Sequence, residues 1–167
     1  MDSATEFAVR RSISVDAPRA RAFEVFVNMT AWWPLATHTI GAAPARASII
    51  EPQVGGRWYG IDKNGDEHGI GHVLVYEPPE RIVLTWEISE DWQYDPSPLT
   101  EVEVRFISES ESRTRVDLEH RRLELYGERA EAQRENYESD NAWTYVLDCF
   151  AKVANQFKTR RSGVGSS

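Results

Sequence analysis

The clearest strand in the chain is Ile82-Val83-Leu84-Thr85-Trp86-Glu87-Ile88. Successive side chains of a β-strand point to opposite faces, so its apolar residues at even-numbered positions share one face, opposite Val83, Thr85 and Glu87. The pair Pro78-Pro79 marks a turn shortly before it. The pattern predicts a strand with one buried face, reached from the preceding strand through a tight turn.

The same period of two continues on both sides of this strand. From Ala47 onward, short apolar segments are separated by turn residues, and Asn64-Gly65 is the best hairpin signal. After the strand, two further segments alternate apolar and charged residues and are predicted to be neighbouring half-buried strands. Their inward residues are Val102, Val104 and Phe106 in the first segment, and Val116, Leu118 and His120 in the second.

The outward residues of these two strands are mostly carboxylates. Glu101, Glu103, Asp117 and Glu119 are predicted to lie on a solvated face, where they pair across strands with Arg105 and Arg115. The pattern places no two carboxyl groups in an apolar cleft, which argues against a paired-carboxylate acid–base site.

Two parts of the chain have a helical period. After a first strand at Val9–Val15, Asp16-Ala17-Pro18 supplies a cap and a proline suited to the first turn of a short helix. A second very short helix is expected near Trp32-Trp33-Pro34. The longest amphipathic helix opens at Trp143 and carries apolar residues at three- and four-residue steps as far as Phe157.

This order of elements predicts an α+β fold. One curved antiparallel sheet of about six to seven strands wraps around the long C-terminal helix, with two short helices after the first strand. The length of 167 residues suits one domain. We predict an N-terminal extension at 1–8, the domain at 9–158, and a disordered tail at 159–167.

Composition restricts the partners and the compartment. A net charge of −8 is the wrong sign for nucleic acid. The apolar runs are too short for a membrane span, and Met1–Glu6 lacks the features of a signal peptide, so a cytoplasmic location is expected. Cys149 is the single cysteine, lies in an apolar run, and is expected to be a buried spectator.

Several motifs occur in a fixed order between about Val9 and Ala154. They are Ile13-Ser14-Val15-Asp16-Ala17-Pro18, Phe23-Glu24-Val25-Phe26, Trp32-Trp33-Pro34, Val54-Gly55-Gly56-Arg57-Trp58, Gly71-His72-Val73, and the most specific, Pro78-Pro79-Glu80-Arg81-Ile82-Val83-Leu84-Thr85-Trp86. With these motifs the chain resembles the START-like, or SRPBCC, superfamily, and within it the branch named after the activator of the ninety-kilodalton heat-shock-protein ATPase.

The resemblance implies a helix-grip fold with an internal cavity. Members of the superfamily include ligand binders, lipid carriers, cyclases, resistance proteins and a co-chaperone domain, so the fold alone does not choose a function. The chain departs from the branch where glycine usually precedes the tryptophan of the last helix, because Asn141-Ala142-Trp143 stands there. The start of that helix is therefore expected to differ.

The four histidines show no metal signature. His68 and His72 are four residues apart, which on a strand is about 13 Å and too far for one ion. We predict neither a metal nor a cofactor. His120 has an inward register, which makes it a candidate for proton transfer, with Tyr59 or Tyr76 as a partner. A histidine that is simply satisfied within the core fits the same pattern.

Aromatic residues at inward positions and at element ends are the strongest binding signal, because such rings can stack on a flat ligand. An acidic loop at 89–96 carries Trp92 and Tyr94 and is predicted to form a lid or an interface rim, with a homodimer as one consequence. The predicted ligand-binding residues are Trp33, Trp58, Trp86, Phe106, His120, Trp143 and Leu147.

Three functions remain open. The first is a domain that binds a small hydrophobic or aromatic molecule between the sheet and the C-terminal helix. The second is a cyclase-like or hydrolytic enzyme of the same fold, and the third is a co-chaperone-like interaction domain with a role in the stress response. The chain has no nucleophile elbow, phosphate loop or dinucleotide fingerprint, which favours binding over catalysis.

Overall fold

Seven antiparallel strands form one curled sheet in the computed structural model, which describes residues 8–35, 38, 45–89, 93–96 and 99–165, without the side chains of 157–165. The order across the sheet is β1-β7-β6-β5-β4-β3-β2, so every strand after the first pairs with its neighbour in sequence and β1 closes on β7. The predicted meander is confirmed. The strands are β1 Val9–Val15, β2 Ala45–Ile50, β3 Arg57–Asp62, β4 Glu67–Glu77, β5 Arg81–Trp86, β6 Thr100–Ser110 and β7 Arg113–Arg121.

Helices cover the concave face of the sheet. The two short helices predicted after β1 are α1 (Arg19–Val27) and a 3-10 turn at Met29–Ala31. A 3-10 segment at Leu123–Arg129, interrupted at Gly127, leads into α2 (Ala130–Glu138). A π-helical turn at Asp140–Thr144 then leads into the long α3 (Tyr145–Gly165). No helix in the described part of the chain is long and apolar enough to cross a membrane.

The start of the last helix differs from a simple helix, at the position where the sequence departs from its family. Ala142 has φ −96° and ψ −120°, outside helical geometry, so Trp143 lies in the π-helical turn and α3 begins two residues later. At the other end, α3 extends to Gly165, beyond residue 158, where we placed the end of the domain. The domain boundaries and the disorder of 159–167 stay predictions.

Of the four carboxylates predicted to lie on a solvated face, Glu103 is buried. Glu103 is 6% exposed. Arg81 and Arg105 each contact it at 2.9 Å, and Arg121 donates to its second oxygen. Burial alone raises the pKa of this carboxyl, but the hydrogen bonds from Arg81 and Arg121 outweigh burial and hold its pKa below the ordinary value. The long arginine side chains, which lie along the outer face, exclude water from it.

Arg11 interrupts the apolar face of β1 because it connects the strand to the helices. Its guanidinium donates to the carbonyl oxygen of Glu138, the last residue of α2, at 2.7 Å, and to Thr144 Oγ1 at 3.1 Å. A cation at a helix C-terminus interacts favourably with the helix dipole. Arg11 therefore fixes the junction between α2 and α3 against the sheet.

We expect Arg11→Met to lower the free energy of unfolding by about 2 kcal/mol, because two hydrogen bonds from a charged donor are lost. Arg10→Met is the matched control. Arg10 is exposed and pairs with Glu119 at 2.7 Å, so its loss should cost less than about 1 kcal/mol. Urea denaturation of both variants measures the difference, and equal costs would contradict the role of Arg11.

Candidate functional site

Four tryptophans from four separate elements meet in the interior. Trp58 and Trp86 project inward from β3 and β5, Trp33 follows the 3-10 turn, and Trp143 precedes α3. Successive ring centroids lie 5.8 Å apart for Trp33–Trp58, 5.7 Å for Trp58–Trp86, 5.4 Å for Trp86–Trp143 and 6.3 Å for Trp143–Trp33. These tilted and edge-to-face contacts are the geometry that aromatic rings prefer. We call this closed set the tryptophan cluster.

Each indole N–H of the tryptophan cluster has a partner. Trp33 Nε1 donates to the carbonyl oxygen of His38 at 2.8 Å, and Trp58 Nε1 donates to Ser48 Oγ at 3.3 Å. Trp86 Nε1 donates to Tyr137 Oη and Trp143 Nε1 donates to His120 Nδ1. Because an indole can only donate, these bonds fix which side of each ring faces its neighbour.

His120 contacts Trp86 and Trp143 of the tryptophan cluster and forms a hydrogen bond with each of its two ring nitrogens. Its Nδ1 accepts from Trp143 at 3.1 Å, so in the neutral ring the proton is on Nε2, which donates to Thr100 Oγ1 at 2.9 Å. Thr100 Oγ1 in turn donates to the carbonyl oxygen of Trp86 at 3.2 Å. This series of hydrogen bonds has one direction, because the indole at its start can only donate and the carbonyl oxygen at its end can only accept.

The second chain of hydrogen bonds runs from Trp86. Its indole donates to Tyr137 Oη at 3.0 Å, Tyr137 and Tyr126 hydroxyls lie 3.3 Å apart, and Tyr126 Oη donates to the carbonyl oxygen of Ile88 at 2.7 Å. Burial raises the pKa of Tyr137. Sequence reasoning missed both tyrosines, and Tyr137 lies within the charged run Glu128–Glu138, whose composition indicates a surface. An aromatic residue inside such a run is the signal that marks Tyr137.

His120 is held between Trp143 and Thr100, and a role in proton transfer stays a prediction. It is fully buried, and burial lowers its pKa to about 3. Both of its ring nitrogens are used within the protein. The partners suggested for it lie elsewhere: Tyr59 lies under the guanidinium of Arg57 at 4.2 Å, and Tyr76 contacts Phe23 with ring centroids 5.7 Å apart.

The seven predicted ligand-binding residues are all buried, but they divide into two groups. Five of them lie together: the four tryptophans of the tryptophan cluster and His120, which contacts Trp143. Leu147 lies one helical turn after Trp143, on α3. Phe106 contacts Phe23 and Phe26 at 5.1 and 5.7 Å, in a phenylalanine cluster that α1 and α3 complete and that Trp32 connects to Trp33. Phe106 lies on β6 four residues, or about 13 Å, from the row that holds His120.

His68 belongs to the inner face and was considered from sequence only as a metal ligand. Asp62 ends β3, and its Oδ1 accepts the backbone N–H of Asn64 at 2.8 Å and of Asp66 at 3.0 Å. Its Oδ2 accepts His68 Nε2–H at 2.8 Å. The hydrogen bond from His68 is the largest cause that lowers the pKa of Asp62. The hairpin at Asn64-Gly65 thereby creates a carboxylate–histidine pair.

The Asp62–His68 pair adjoins the tryptophan cluster through a small pocket. The pocket has about 10 Å³ of water-accessible space, which is room for about one water molecule. Trp33 and His68 both line it. The remaining walls are mostly small or apolar: Ala45, Ala47, Ser48, Gly60 and Ile70.

His72 lies on the opposite, outer face of the sheet. Its Nδ1 donates to Glu87 Oε2 at 2.8 Å, and Tyr94 Oη donates to Glu87 Oε1 at 2.7 Å. The ring of Tyr94 covers Gly69. The described part of the predicted lid therefore lies against the outer face, and Trp92 lies outside the described residues. Among the described residues, no group of three or more histidine, cysteine or acidic side chains is placed to hold a metal.

A curled antiparallel sheet that holds a long helix over an aromatic interior defines a helix-grip domain, as the sequence predicted. Residues 16–155 match the family described as activator of Hsp90 ATPase homolog 1-like protein, and the chain belongs to that family. A search of curated proteins found no match.

Solved structures give the same fold. The anthrahydroquino-gamma-pyrone synthase Txn09 is 34% identical, with a TM-score of 0.61, over 87% of this chain and 96% of that one. The self-sacrificing resistance protein CalC from Micromonospora echinospora is 30% identical, with a TM-score of 0.67, over 89% and 94%. Protein NE0264 from Nitrosomonas europaea, 12% identical with a TM-score of 0.64 over 91% and 96%, supports the fold alone.

Proposed function

We propose that the protein binds a small, flat, fused-ring aromatic molecule at the tryptophan cluster, between the sheet and α3, and that the packed rings separate to admit it, since the pocket beside Trp33 has room for about one water molecule. The observation that carries this proposal is the convergence of four tryptophans from four elements that are far apart in sequence. Two hydrogen-bond chains hold Trp86 and Trp143 in place, and Trp33 belongs to neither chain.

The similar proteins support an aromatic ligand. Txn09 is named as a synthase of an anthrahydroquino-gamma-pyrone, and CalC is named as a resistance protein. These names describe those proteins, and the shared fold and 30–34% identity make a related ligand class reasonable for this chain. A cytoplasmic location and a homodimer built on the Tyr94 loop remain proposals from the sequence.

A titration with 2-hydroxyanthraquinone tests binding. We expect saturable quenching of tryptophan fluorescence, because four of the six tryptophans belong to the cluster. Trp33→Ala should weaken binding about ten-fold, which corresponds to roughly 1.4 kcal/mol of lost ring contact. Trp33 is chosen because it lines the small pocket and has no role in either hydrogen-bond chain.

The matched control is Tyr94→Phe, which changes an aromatic residue on the outer face. Its affinity should stay within about two-fold of the wild type, since no ligand contact is removed. Calorimetry with the same probe excludes quenching without binding. The proposal fails if the wild type shows no saturable binding up to the solubility of the probe, or if Trp33→Ala binds as tightly as the wild type.

A second candidate is a ring-forming enzyme, which the 34% identity to a synthase favours. The substrate class would be an aromatic diketone that closes to a γ-pyrone with loss of water. Incubation with 1-(2-hydroxyphenyl)butane-1,3-dione distinguishes the two functions. In this substrate the phenol oxygen attacks the distal carbonyl, one water leaves and 2-methylchromone forms. A rate of 2-methylchromone formation above the uncatalysed rate, measured by mass spectrometry, would favour catalysis over binding alone.

A further inference from the structure

A groove of about 590 Å³ lies on the outer face of the sheet, where β3 and β4 meet the segment at 93–94. Its lining includes Arg57, His72, Gln93 and Tyr94. The volume is within the range of small-molecule sites. Trp58 of the tryptophan cluster also contributes to the lining, but it is 1% exposed and its ring projects inward. The groove therefore offers a place for a second ligand, apart from the inner site.

His72 has one ring nitrogen fixed and one available in this groove. Nδ1 donates to Glu87 Oε2 at 2.8 Å, because an ionised carboxylate can only accept. The neutral ring therefore carries a lone pair on Nε2, which has no hydrogen-bond partner among the described residues. The His72 side chain is 47% exposed and lines the groove, so a bound molecule can reach the ring.

Glu87 is held as an ionised carboxylate behind His72. Its side chain is buried and accepts three hydrogen bonds, from Thr85 Oγ1, His72 Nδ1 and Tyr94 Oη. Burial alone raises the pKa of Glu87, but these hydrogen bonds outweigh burial and hold the pKa below its ordinary value. A carboxylate that orients an imidazole in this way fixes the tautomer and makes the other ring nitrogen more basic.

Arg57 supplies a cation beside His72. The two residues are directly opposed on β3 and β4, where the Cβ atoms of an antiparallel pair lie about 5 Å apart. The guanidinium donates through Nη2 to Glu67 at 3.0 Å, and its other N–H groups have no hydrogen-bond partner among the described residues. Tyr94 adds an aromatic wall, because its half-exposed ring lies over Gly69, which has no side chain.

We propose that this groove is a second site, which hydrolyses small, uncharged aryl esters with His72 Nε2 as the general base. Glu87 is the positioning residue of His72, and Arg57 stabilises the oxyanion that develops on the ester carbonyl. An uncharged substrate is favoured because Glu67, which pairs with Arg57, and Glu87 both repel an anion. The aryl group suits the ring of Tyr94. The inference goes beyond the proposed function and does not depend on it.

The reaction needs only water as a second reactant. The water oxygen attacks the ester carbonyl carbon while Nε2 takes one proton from that water. The carbonyl becomes a tetrahedral oxyanion and His72 becomes an imidazolium, whose Nδ1–H faces the negative charge of Glu87. The carbonyl then re-forms, the bond to the aryl oxygen breaks, and Nε2 returns the proton to that oxygen. The products are a carboxylic acid and a phenol.

Hydrolysis of 4-nitrophenyl acetate, followed by absorbance near neutral pH, tests this activity. We expect saturation with substrate and a rate above that of N-acetylhistidine at the same concentration. His72→Gln should lower kcat at least about a hundred-fold, the lower end of what a general base contributes. Because His72 is exposed, this variant should fold. Arg57→Met should also lower kcat about a hundred-fold, through loss of an oxyanion donor.

His38→Gln is the matched control, because it removes a histidine at the start of α3, where His38 Nε2 contacts the carbonyl oxygen of Asn141. Its kcat should stay within about two-fold of the wild type. The role of Glu87 is tested by ¹⁵N NMR of His72. The wild type should carry the proton on Nδ1, and Glu87→Gln should distribute it over both nitrogens while kcat falls about ten-fold.

Four results would contradict the inference. A wild-type rate that does not saturate, or that does not exceed the rate of N-acetylhistidine, would overturn the activity. His72→Gln with wild-type kcat would overturn the role of His72, and an equal loss in His38→Gln would show an unspecific reaction of histidines. Acetylated His72 in the mass spectrum during turnover would overturn the general-base step, because the imidazole would then attack the ester itself. Binding of 2-hydroxyanthraquinone is measured separately, so the proposed function stands or falls on its own test.

Discussion

Gly71→Ala is expected to lower the free energy of unfolding by at least about 3 kcal/mol, at the upper end of what overpacking costs. A Cβ at this position of β4 would lie 1.8 Å from the carbonyl oxygen of Thr85 and 2.7 Å from its carbonyl carbon. These atoms belong to the backbone of β5, so no side-chain rotation relieves the clash. The two strands must separate, or the pairing must shift.

The same displacement is expected to reach the candidate site. Thr85 Oγ1 accepts the backbone N–H of His72 at 2.7 Å and donates to Glu87 Oε2 at 2.5 Å, and the next residue is Trp86. Movement of β5 therefore alters the tryptophan cluster as well as the outer face. Near-ultraviolet circular dichroism of the folded fraction should report this change in addition to the loss of stability.

Gly60→Ala is the matched control for Gly71→Ala. Gly60 is also a buried glycine inside a strand, but a Cβ there would meet only the carbonyl oxygen of Ala47 at 3.6 Å, an ordinary contact. Alanine in place of glycine within a strand gains roughly 0.5–1 kcal/mol through reduced backbone entropy, so this variant should be neutral or slightly more stable. Urea denaturation of both variants measures the contrast. Equal stabilities would show that β4 and β5 do not approach as closely as described.

The sequence predicts the sheet well because burial follows the strand period in β7 and, apart from Glu103, in the buried part of β6, whereas β5 is buried on both faces. The alternation in β5, β6 and β7 identified Leu84, Val104 and Leu118 as inward residues, and all are buried. The pairing order followed from turn residues between consecutive strands. Such local patterns carry this information because adjacent strands of a meander need no long-range signal.

Long-range contacts account for what sequence reasoning missed. The alternation placed Glu103 on a solvated face, but Arg81, Arg105 and Arg121 cover it from three strands. Arg11 interrupts the apolar pattern of β1 because its partners, Glu138 and Thr144, lie more than 120 residues away in the sequence. A period of two indicates only on which face of the sheet a side chain lies. It does not indicate which side chains from other elements contact that face.

The same distinction between local strand patterns and long-range contacts applies to the candidate site. Register predicted correctly that Trp86 and His120 point inward. It did not distinguish the tryptophan cluster from the phenylalanine cluster around Phe106, because both occupy the same face at different points along the strands. It also missed the pairing of His68 with Asp62, which depends on the hairpin between β3 and β4.

Stability is expected to fall as the pH is lowered from 7.5 to 4.5, because His120 remains neutral in the folded protein. Its pKa is about 3 in the fold against an ordinary value of 6.5, since burial disfavours the charged ring and Nδ1 already accepts from Trp143. Between these two values the unfolded chain binds a proton that the folded chain does not. Lower pH therefore favours unfolding, and stability is fully present only above about pH 6.5.

The size of this effect follows from the difference between the two pKa values. At pH 4.5 the unfolded chain is two pH units below the ordinary pKa, which corresponds to about 3 kcal/mol of lost stability at 1.36 kcal/mol per unit. The range ends at pH 4.5 so that carboxyl groups with lowered pKa values contribute little to the change in stability. Asp62, Glu87 and Glu103 have lowered pKa values, and their contributions are lost mainly below the ordinary values of 3.8 and 4.5.

His120→Gln isolates the contribution of this one ring. Glutamine does not titrate, and it retains an amide that can accept from Trp143 or donate to Thr100. The variant has a smaller side chain and is expected to be less stable than the wild type at pH 7.5, but its loss between pH 7.5 and 4.5 should be smaller by about 3 kcal/mol. Urea denaturation at a series of pH values gives the two slopes. Parallel slopes would mean that His120 becomes protonated inside the fold, and would restore it as a candidate for proton transfer, whereas a difference of the expected size limits it to positioning Trp143.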